Sequence, residues 1–326
     1  MIARMVAVVV AVGLMAAACS TTEPSSIEAI PTGTTVVKGK LADSLDFGGA
    51  QLVVGTATPP PNDATEVILA QILREALKAS GADVVEKSDL GNGFLERDAL
   101  LSGEIDMHWA GEGTAWTVLL RQPGEGLDAT AMHEQLAKLD LDENGVAWLA
   151  PTEFEQTPAF AAGKKGPDIT KLSEIADWLD HAAVDPIICV TRGFETFPTD
   201  GRVEVEAALG RQLPDGSLRT FDPVPIYPAT ARGACQLGLV ETTNGRVPQY
   251  GLRLLDDDLG VFGPNRYSLA VRQDVLKAYP ELASLEASIA GRLDLATIQR
   301  LNRQVVVEGE DPAVVARRWL RSEGLI

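Results

Sequence analysis

Short apolar runs alternate with stretches of helical periodicity along most of this chain. The first apolar run, QLVVGTA, predicts a buried strand, and a helix follows it with apolar residues at helical spacing. Asn62 or Asp63 is suited to cap that helix, and Gly81 to end it. The first unit is therefore predicted as strand, helix, strand, helix and strand, over 51–57, 63–80, 83–86, 94–102 and 104–109.

A second unit with the same alternation begins near Gly145, and a third set of elements follows it. This order of elements predicts an α/β protein. The predicted strands of these parts are 145–151, 159–162, 186–190, 238–243, 252–258 and 268–272. The predicted helices are 171–179, 203–209, 229–237, 274–278, 282–291, 296–302 and 312–323.

The first nineteen residues have the pattern of a bacterial export signal. Arg4 supplies a basic start, an apolar run spans 6–15, and three alanines precede Cys19, as in a lipobox. The run is short for a bilayer span of about 20 residues. We expect removal of residues 1–18 and attachment of a diacylglycerol to Cys19. Alternatives are an uncleaved anchor or an ordinary cleaved signal, and each places the folded part outside the cytoplasm.

Composition indicates a soluble globular body behind that signal. Hydrophobic residues make up 45% and charged residues 23% of the 326 positions, and the formal net charge is -18. Such an acidic chain is unsuited to nucleic acids or anionic lipids as partners. Residues 19–50, rich in Ser, Thr and Pro, predict a flexible tether. The only membrane contact expected is through the lipid.

Two cysteines, Cys189 and Cys235, remain after lipidation of Cys19. An even pair in an oxidising compartment predicts a disulfide. Closing a loop of this length stabilises by about 4 kcal/mol on the chain-entropy relation. The alternative is a pair of buried free thiols.

The sequence contains none of the common catalytic or metal-binding motifs. There is no G-x-S-x-G, P-loop, H-E-x-x-H or C-x-x-C, and the three histidines are not at metal-ligand spacing. We therefore predict no catalytic residues, no metal, no cofactor and no enzymatic activity.

The order of the segments from about 51 to 326 resembles the substrate-binding lipoproteins of ABC importers for osmoprotectants such as glycine betaine, choline and carnitine. The similar stretches include ILAQILREALKASGADVVEKSDLGNG, ALLSGEIDMHWAGEGTAW, NGVAWLAPTEFEQTPAFAA, ETFPTDGRVEVEAALG and VETTNGRV. The C-terminal LNRQVVVEGEDPAVVARRWLRSEGL is also similar. The resemblance rests on their joint order and spacing.

This resemblance implies a two-lobe periplasmic-binding-protein type II fold with a ligand cleft between the lobes. It places the first part of lobe 1 at 51–152, lobe 2 at 153–244 and the return part of lobe 1 at 245–326. Sheets of this kind bind ligands beyond their strand ends, where loops and helix N-termini converge.

The sequence departs from the family where the ligand is held. Betaine binders surround the quaternary ammonium with tyrosine rings, whose faces attract a cation. The four matching positions are Gly111, Pro158, Glu241 and Asn265, and none is aromatic. The family's carboxylate-binding Arg falls on Pro198 and its early Lys near Ala57, whereas Thr114 is retained.

Other residues near the mapped cleft are candidates to replace these groups. Rings available there, unless they are ordinary core aromatics, are Trp109, Trp116, Tyr227 and Tyr267. Glu112, Glu155 and Glu241 could hold a ligand with N–H donors, unless they are solvated surface acids. The predicted ligand-binding set is Trp109, Gly111, Glu112, Thr114, Glu155, Gln156, Pro158, Glu241, Thr242, Asn265 and Tyr267.

The resemblance predicts a monomeric, membrane-anchored lipoprotein that captures a small polar or zwitterionic solute and delivers it to an ABC permease and its ATPase. One alternative is a solute sensor or scavenger with a non-betaine ligand. Another is an enzyme on the same two-lobe scaffold. The absent tyrosine cage further predicts that glycine betaine is not a tight ligand.

Overall fold

The computed structural model describes residues 39–58, 63–124, 126–182, 185–195 and 201–326. The predicted signal peptide, Cys19 and most of the predicted tether lie outside the described residues, as does Pro198. Within the described part, no helix is both long and apolar enough to cross a membrane.

Ten strands are described along the chain. They are β1 (Gln51–Gly55), β2 (Asp83–Lys87), β3 (Met107–Gly111), β4 (Val146–Trp148), β5 (Pro158–Ala162), β6 (Ile188–Thr191), β7 (Leu218–Phe221), β8 (Leu237–Glu241), β9 (Arg253–Leu254) and β10 (Tyr267–Arg272).

The helices that the structure describes surround these strands. They are α1 (Thr65–Ala79), α2 (Gly93–Leu101), α3 (Glu112–Thr114), α4 (Ala129–Asn144), α5 (Glu174–His181), α6 (Arg202–Leu209), α7 (Pro223–Arg232), α8 (Arg246–Gln249), α9 (Gln273–Ala278), α10 (Glu281–Ala290), α11 (Leu295–Val306) and α12 (Pro312–Ser322). A π-helical turn, Ala115–Leu119, continues α3.

The strands form two five-stranded sheets. In the first sheet the order is β2-β1-β3-β10-β4, with β1 parallel to β2 and β3, and β10 antiparallel to both neighbours. In the second sheet the order is β7-β6-β8-β5-β9, with β6 parallel to its neighbours and β5 antiparallel to β8 and β9.

Each sheet has its own apolar interior. The described residues 39–150 and 267–326 form the first-sheet half, in which Leu100, Ile105 and Leu136 belong to one buried cluster. The described residues 158–241 and 252–262 form the second-sheet half, where Phe160, Phe194 and Phe262 share another. The lobe boundaries stay a prediction, but β9 pairs with β5 although it follows residue 245.

Several stretches differ from the predicted secondary structure. Strand β7 and the short helices α3 and α8 were not among the predicted elements. Helix α4 was not predicted, because its buried positions include Asp140 beside Met132 and Leu136, which weakens the apolar periodicity. The helix predicted over 229–237 overlaps α7 only at 229–232. Helix α7 instead begins at Pro223, a residue favoured in the first helical turn, and ends before Gly233, whose φ is 80°.

The disulfide between Cys189 and Cys235 is present in the structure, with a Cα–Cα distance of 5.7 Å. Cys189 lies in β6, and Cys235 lies between α7 and β8. Both side chains are fully buried in the second-sheet half, so the bond joins two neighbouring elements of one interior.

Candidate functional site

The candidate site lies where the chain passes between the two sheets. One passage joins β4 to β5, another joins β9 to β10, and the segment after β8 touches the first-sheet half. The side-chain amide of Asn302 donates to Thr65 Oγ1 at 2.7 Å and to the Thr243 carbonyl at 3.2 Å. Helix α11 thus ties α1 to the segment that follows β8.

Asn265 contacts three other predicted ligand residues. Its Oδ1 accepts from the Thr114 N–H at 3.2 Å, and its Nδ2 donates to the Gln156 carbonyl at 2.9 Å. A Cβ on Gly111 would lie 2.5 Å from Asn265 Oδ1, so only glycine permits this approach. Thr114, Gln156, Gly111 and Asn265 therefore form one connected cluster.

Glu112 is held by the protein itself. Its side chain is 1% exposed, and its Oε1 accepts from Ser268 Oγ at 2.6 Å and lies 2.5 Å from His133 Nδ1. Arg266 Nε lies 3.9 Å from the other carboxylate oxygen. These contacts make Glu112 a buried support of the site. Ser268 is buried too and donates to Glu112.

Glu155 follows Phe154 in the passage from β4 to β5 and is partly exposed. It forms an isolated antiparallel bridge with Arg266. Burial raises the pKa of Glu155, the Arg266 charge lowers it, and the charge of Glu112 adds to the rise, with a net shift upward. Glu155 is therefore a carboxyl group that its surroundings make harder to ionise.

Thr242 and the β5–β8 pair set the position of this carboxyl group. Pro158 pairs with Glu241 across the ladder, so the two predicted ligand residues are neighbours. Thr242 Oγ1 donates to the Glu155 carbonyl at 2.8 Å and accepts from the Thr157 N–H at 3.1 Å. The predicted residue Thr242 thereby fixes the backbone that carries Glu155.

All four aromatic candidates are buried, and Tyr227 belongs to the apolar cluster that contains the disulfide. Trp109 is 1% exposed and Trp116 donates from Nε1 to the Pro123 carbonyl at 2.7 Å, so both rings belong to the interior. Tyr267 packs against Phe154 with ring centroids 6.0 Å apart. Tyr227 accepts a hydrogen bond on its hydroxyl from the Glu241 N–H at 3.3 Å.

Asp63 is a functional candidate that the sequence indicated only as a possible helix cap. Its Oδ1 accepts from the Thr65 N–H at 2.8 Å, as a cap does, but its Oδ2 accepts from Gln156 Nε2 at 2.9 Å. Burial raises the pKa of both Tyr227 and Tyr267, and the charges of Glu241 and Asp63 add to the rise. At Tyr227 the hydrogen bond from the Glu241 N–H and the charge of Arg246 lower the pKa. Both carboxylates therefore act on both tyrosines.

The site places several carboxylates near two buried tyrosines, and its groups come from both sheets. Carboxylates and ring faces both attract a positively charged nitrogen. Within the described residues, no group of three His, Cys, Asp or Glu side chains is arranged to hold a metal ion.

Comparison with known proteins gives a consistent result. Residues 57–322 match the sequence model described as the substrate binding domain of the ABC-type glycine betaine transport system. A glycine-betaine-binding protein of Pseudomonas aeruginosa is 32% identical over 79% of this chain and 85% of its own length. The carnitine transport binding protein OpuCC of Listeria monocytogenes is 31% identical over 78% of this chain and 82% of its own length.

Solved structures agree on the fold. The apo structure of YehZ from Escherichia coli has a TM-score of 0.74 at 25% identity and covers 85% of this chain and 99% of its own. A structure titled as a glycine betaine/carnitine/choline ABC transporter has a TM-score of 0.75 at 20% identity, covering 84% of this chain and 98% of its own. The prediction of an α/β fold of the type II periplasmic-binding class is confirmed.

Proposed function

The chain belongs to the family of substrate-binding domains of ABC-type glycine betaine transport systems, and on that premise we propose that it captures a small solute with a positively charged nitrogen. It presents this solute to an ABC permease on the outer side of the membrane. It acts by binding and closure, without catalysing a reaction. Its ligand site lies where the passages between the two sheets meet.

The observation that carries the proposal is the charge around Tyr227 and Tyr267. Asp63 and Glu241 act on both hydroxyl groups, and Glu155 stands at the adjoining passage. A cation gains from each of these carboxylates, and the charge of Arg246 near Tyr227 offsets part of that gain. Arg266 already faces Glu155 and Glu112, which leaves it paired within the protein.

This arrangement supports a cationic ligand over the zwitterion glycine betaine. The four positions of the family cage are not aromatic, and each ring contributes on the order of 0.5–2 kcal/mol to binding a quaternary ammonium. The carboxylate of glycine betaine would also face several negative groups. Solutes with amine or hydroxyl donors can instead hydrogen-bond to the carboxylates.

Calorimetric titration of the purified protein with choline, carnitine, glycine betaine and a primary amine tests the ligand class. We expect choline or the amine to bind more tightly than glycine betaine. We expect Glu241→Gln to weaken binding of the cation by about tenfold. Glu281→Gln, an exposed acid in the first turn of α10, is the matched control and should bind as the parent does. Micromolar or tighter binding of glycine betaine would contradict the predicted preference.

We further propose that a lipid on Cys19 anchors the protein to the membrane through the tether at 19–50. Cys19→Ala should release the protein from membranes or block its processing, as seen by fractionation of cells that express it. If Cys19→Ala fractionates with the membranes as the parent does, Cys19 does not carry a lipid anchor.

A further inference from the structure

Two amide side chains of α11, Gln299 and Asn302, hold the segment 242–250, which we call the arm. Residues at this spacing lie on one side of a helix. Gln299 Nε2 donates to the Thr242 carbonyl at 2.7 Å, and Asn302 Nδ2 donates to the Thr243 carbonyl at 3.2 Å. One side of α11 therefore binds two consecutive carbonyl groups of the arm.

The arm lies directly against the backbone of α11. A Cβ on Gly245 would be 2.2 Å from the Arg303 backbone nitrogen, so only glycine permits this approach. The Arg246 guanidinium donates to the Val306 carbonyl at 3.3 Å. Val247 of the arm belongs to the apolar cluster of the second-sheet half that contains the disulfide. The arm thus joins α11, in the first-sheet half, to the interior of the other half.

A chain of hydrogen bonds leads from Gln299 to the passage between β4 and β5. The Thr242 residue that Gln299 holds donates from Oγ1 to the Glu155 carbonyl at 2.8 Å. The Thr242 N–H donates to the Thr157 carbonyl at 3.0 Å, and the Thr157 N–H donates back to Thr242 Oγ1 at 3.1 Å. Thr242 therefore fixes the backbone on both sides of Gln156, and Gln299 fixes Thr242.

A second chain leads from Asn302 to the same passage. Asn302 Nδ2 donates to Thr65 Oγ1 at 2.7 Å, and Thr65 Oγ1 donates to Asp63 Oδ1 at 2.8 Å. Asp63 Oδ2 in turn accepts from Gln156 Nε2 at 2.9 Å. This chain holds the Gln156 side chain, whereas the first chain holds the backbone around it.

Asn302 uses every polar group of its amide in these contacts. Its Nδ2 donates to Thr65 and to Thr243, and its Oδ1 accepts from the Ala64 N–H at 3.0 Å. Asn302 and Thr243 are fully buried, and Thr65 is 2% exposed. Because water does not reach these groups, replacing Asn302 leaves several of them without a partner, which is costly.

We propose that Gln299 and Asn302 are positioning residues that act from α11 to hold the passage 155–157 in place at the ligand site. The inference rests on the proposed function, because it takes this passage as part of the surface that meets the solute. The two chains reach the passage through different elements, the arm and the start of α1. Loss of the Asn302 amide should therefore loosen the passage while the sheets on either side stay folded.

The first measurement needs no ligand. Hydrogen exchange followed by mass spectrometry reports local opening of the peptides that cover 152–158 and 239–250. In Asn302→Ala we expect both peptides to exchange about tenfold faster than in the parent. The peptide that covers β6 should be unchanged. Gln304→Ala, on the same helix, is the matched control and should exchange as the parent does.

A second variant breaks one chain alone. Thr65→Val keeps the shape of the side chain and removes the hydroxyl that links Asn302 to Asp63. Exchange should rise in the peptide 152–158 but not in 239–250, because Gln299 and Asn302 still hold the arm. This variant also tests the proposal if Asn302→Ala does not fold, and unchanged exchange of 152–158 in Thr65→Val would overturn the second chain.

The third measurement links the passage to binding. Calorimetric titration with choline, carnitine, glycine betaine and a primary amine identifies the solutes that the parent binds. For each of these solutes, Asn302→Ala should bind about tenfold more weakly, and Gln304→Ala should bind as the parent does.

The outcomes separate this inference from the proposed function. Equal acceleration of β6 in Asn302→Ala would show a loss of global stability and overturn the proposal, as would unchanged exchange of both peptides. Faster exchange with unchanged affinity would overturn the positioning role and leave the binding function in place. If the parent binds none of the four solutes, the proposed function fails, and the exchange measurement alone decides whether α11 holds the passage.

Discussion

The two sheets have the same arrangement of strands but different interiors. Each sheet begins with three parallel strands, continues with one antiparallel strand and ends on a short edge strand. Among the described residues, every buried acidic, basic or histidine side chain belongs to the first-sheet half. These residues are Asp63, Arg74, Glu96, Arg97, His108, Glu112, Asp140 and Glu286.

The second-sheet half is stabilised by other means. Phe160 makes an edge-to-face contact with Phe194 at 6.1 Å and a tilted contact with Phe262 at 6.3 Å. The disulfide Cys189–Cys235 crosses its other cluster. One topology therefore supports both a charged, pH-responsive interior and an apolar, cross-linked one, and we expect the two halves to respond differently to mutation and pH.

The largest expected effect is on the buried ion pair of the first-sheet half. Asp140 accepts from Arg97 Nη2 at 2.5 Å and from Trp148 Nε1 at 2.7 Å. Asp140→Ala leaves a buried guanidinium uncompensated and should lower the free energy of unfolding by about 3–5 kcal/mol. Urea unfolding measures it. Asp142→Ala, on the same helix but paired with the exposed Lys138, should cost less than about 1 kcal/mol. A comparable loss of stability in Asp140→Ala and Asp142→Ala would refute the larger contribution of the buried pair.

The disulfide should contribute nearly as much in the other half. Replacing both Cys189 and Cys235 with Ala removes a bond across 46 residues, and should cost about 4 kcal/mol on the chain-entropy relation. Because no titratable group is involved, the loss should be the same at pH 5 and pH 8. Non-reducing peptide mapping of the parent provides the control, and two freely alkylated thiols would contradict the bridge.

Glu286 should make the first-sheet half less stable as pH rises. It is fully buried in α10, and burial raises its pKa well above the usual 4.5. The folded state keeps this proton while the unfolded state loses it above pH 4.5, so stability falls as pH increases toward the folded pKa. Glu286→Gln removes this dependence and should be more stable than the parent at pH 7–8, by an amount that grows with pH up to the folded pKa.

Thermal or urea unfolding from pH 4 to pH 8 checks the effect of Glu286. The parent and Glu286→Gln should have equal stability near pH 4, where the glutamate is protonated in both states. Glu281→Gln, on the same helix but exposed, should follow the parent at every pH. A difference that is already present at pH 4 would indicate lost packing instead of a buried proton.

The smallest effect is expected for an ion pair of the second-sheet half. Arg202 Nε donates to Glu206 Oε1 at 2.6 Å, but the arginine side chain is 25% exposed. Arg202→Gln should cost about 0.5 kcal/mol at low ionic strength and less in 1 M NaCl, because salt screens exposed charges. Arg97→Gln, in the buried pair, should lose the same stability at both salt concentrations.

Local signals predicted most helix ends and strand positions. Asn92 caps α2 by accepting from the Phe94 and Leu95 N–H groups, close to the predicted start at 94. Predicted strands at 83–86 and 268–272 match β2 and β10 within one residue. The apolar periodicity did not predict α4, where a buried carboxylate takes the place of an apolar residue. It also misplaced α7, which begins at a proline.

The sequence by itself determined the family and the α/β class, because these depend on residue order and on contacts within a few residues. The positions that replace the tyrosine cage stay a prediction. Only the tertiary structure decided the surroundings of each acid. Glu112 is enclosed by Ser268 and His133, and Glu96 lies beside His108. Burial and charge act through space between residues far apart in the chain, so no local pattern reveals which carboxyl groups are ionised.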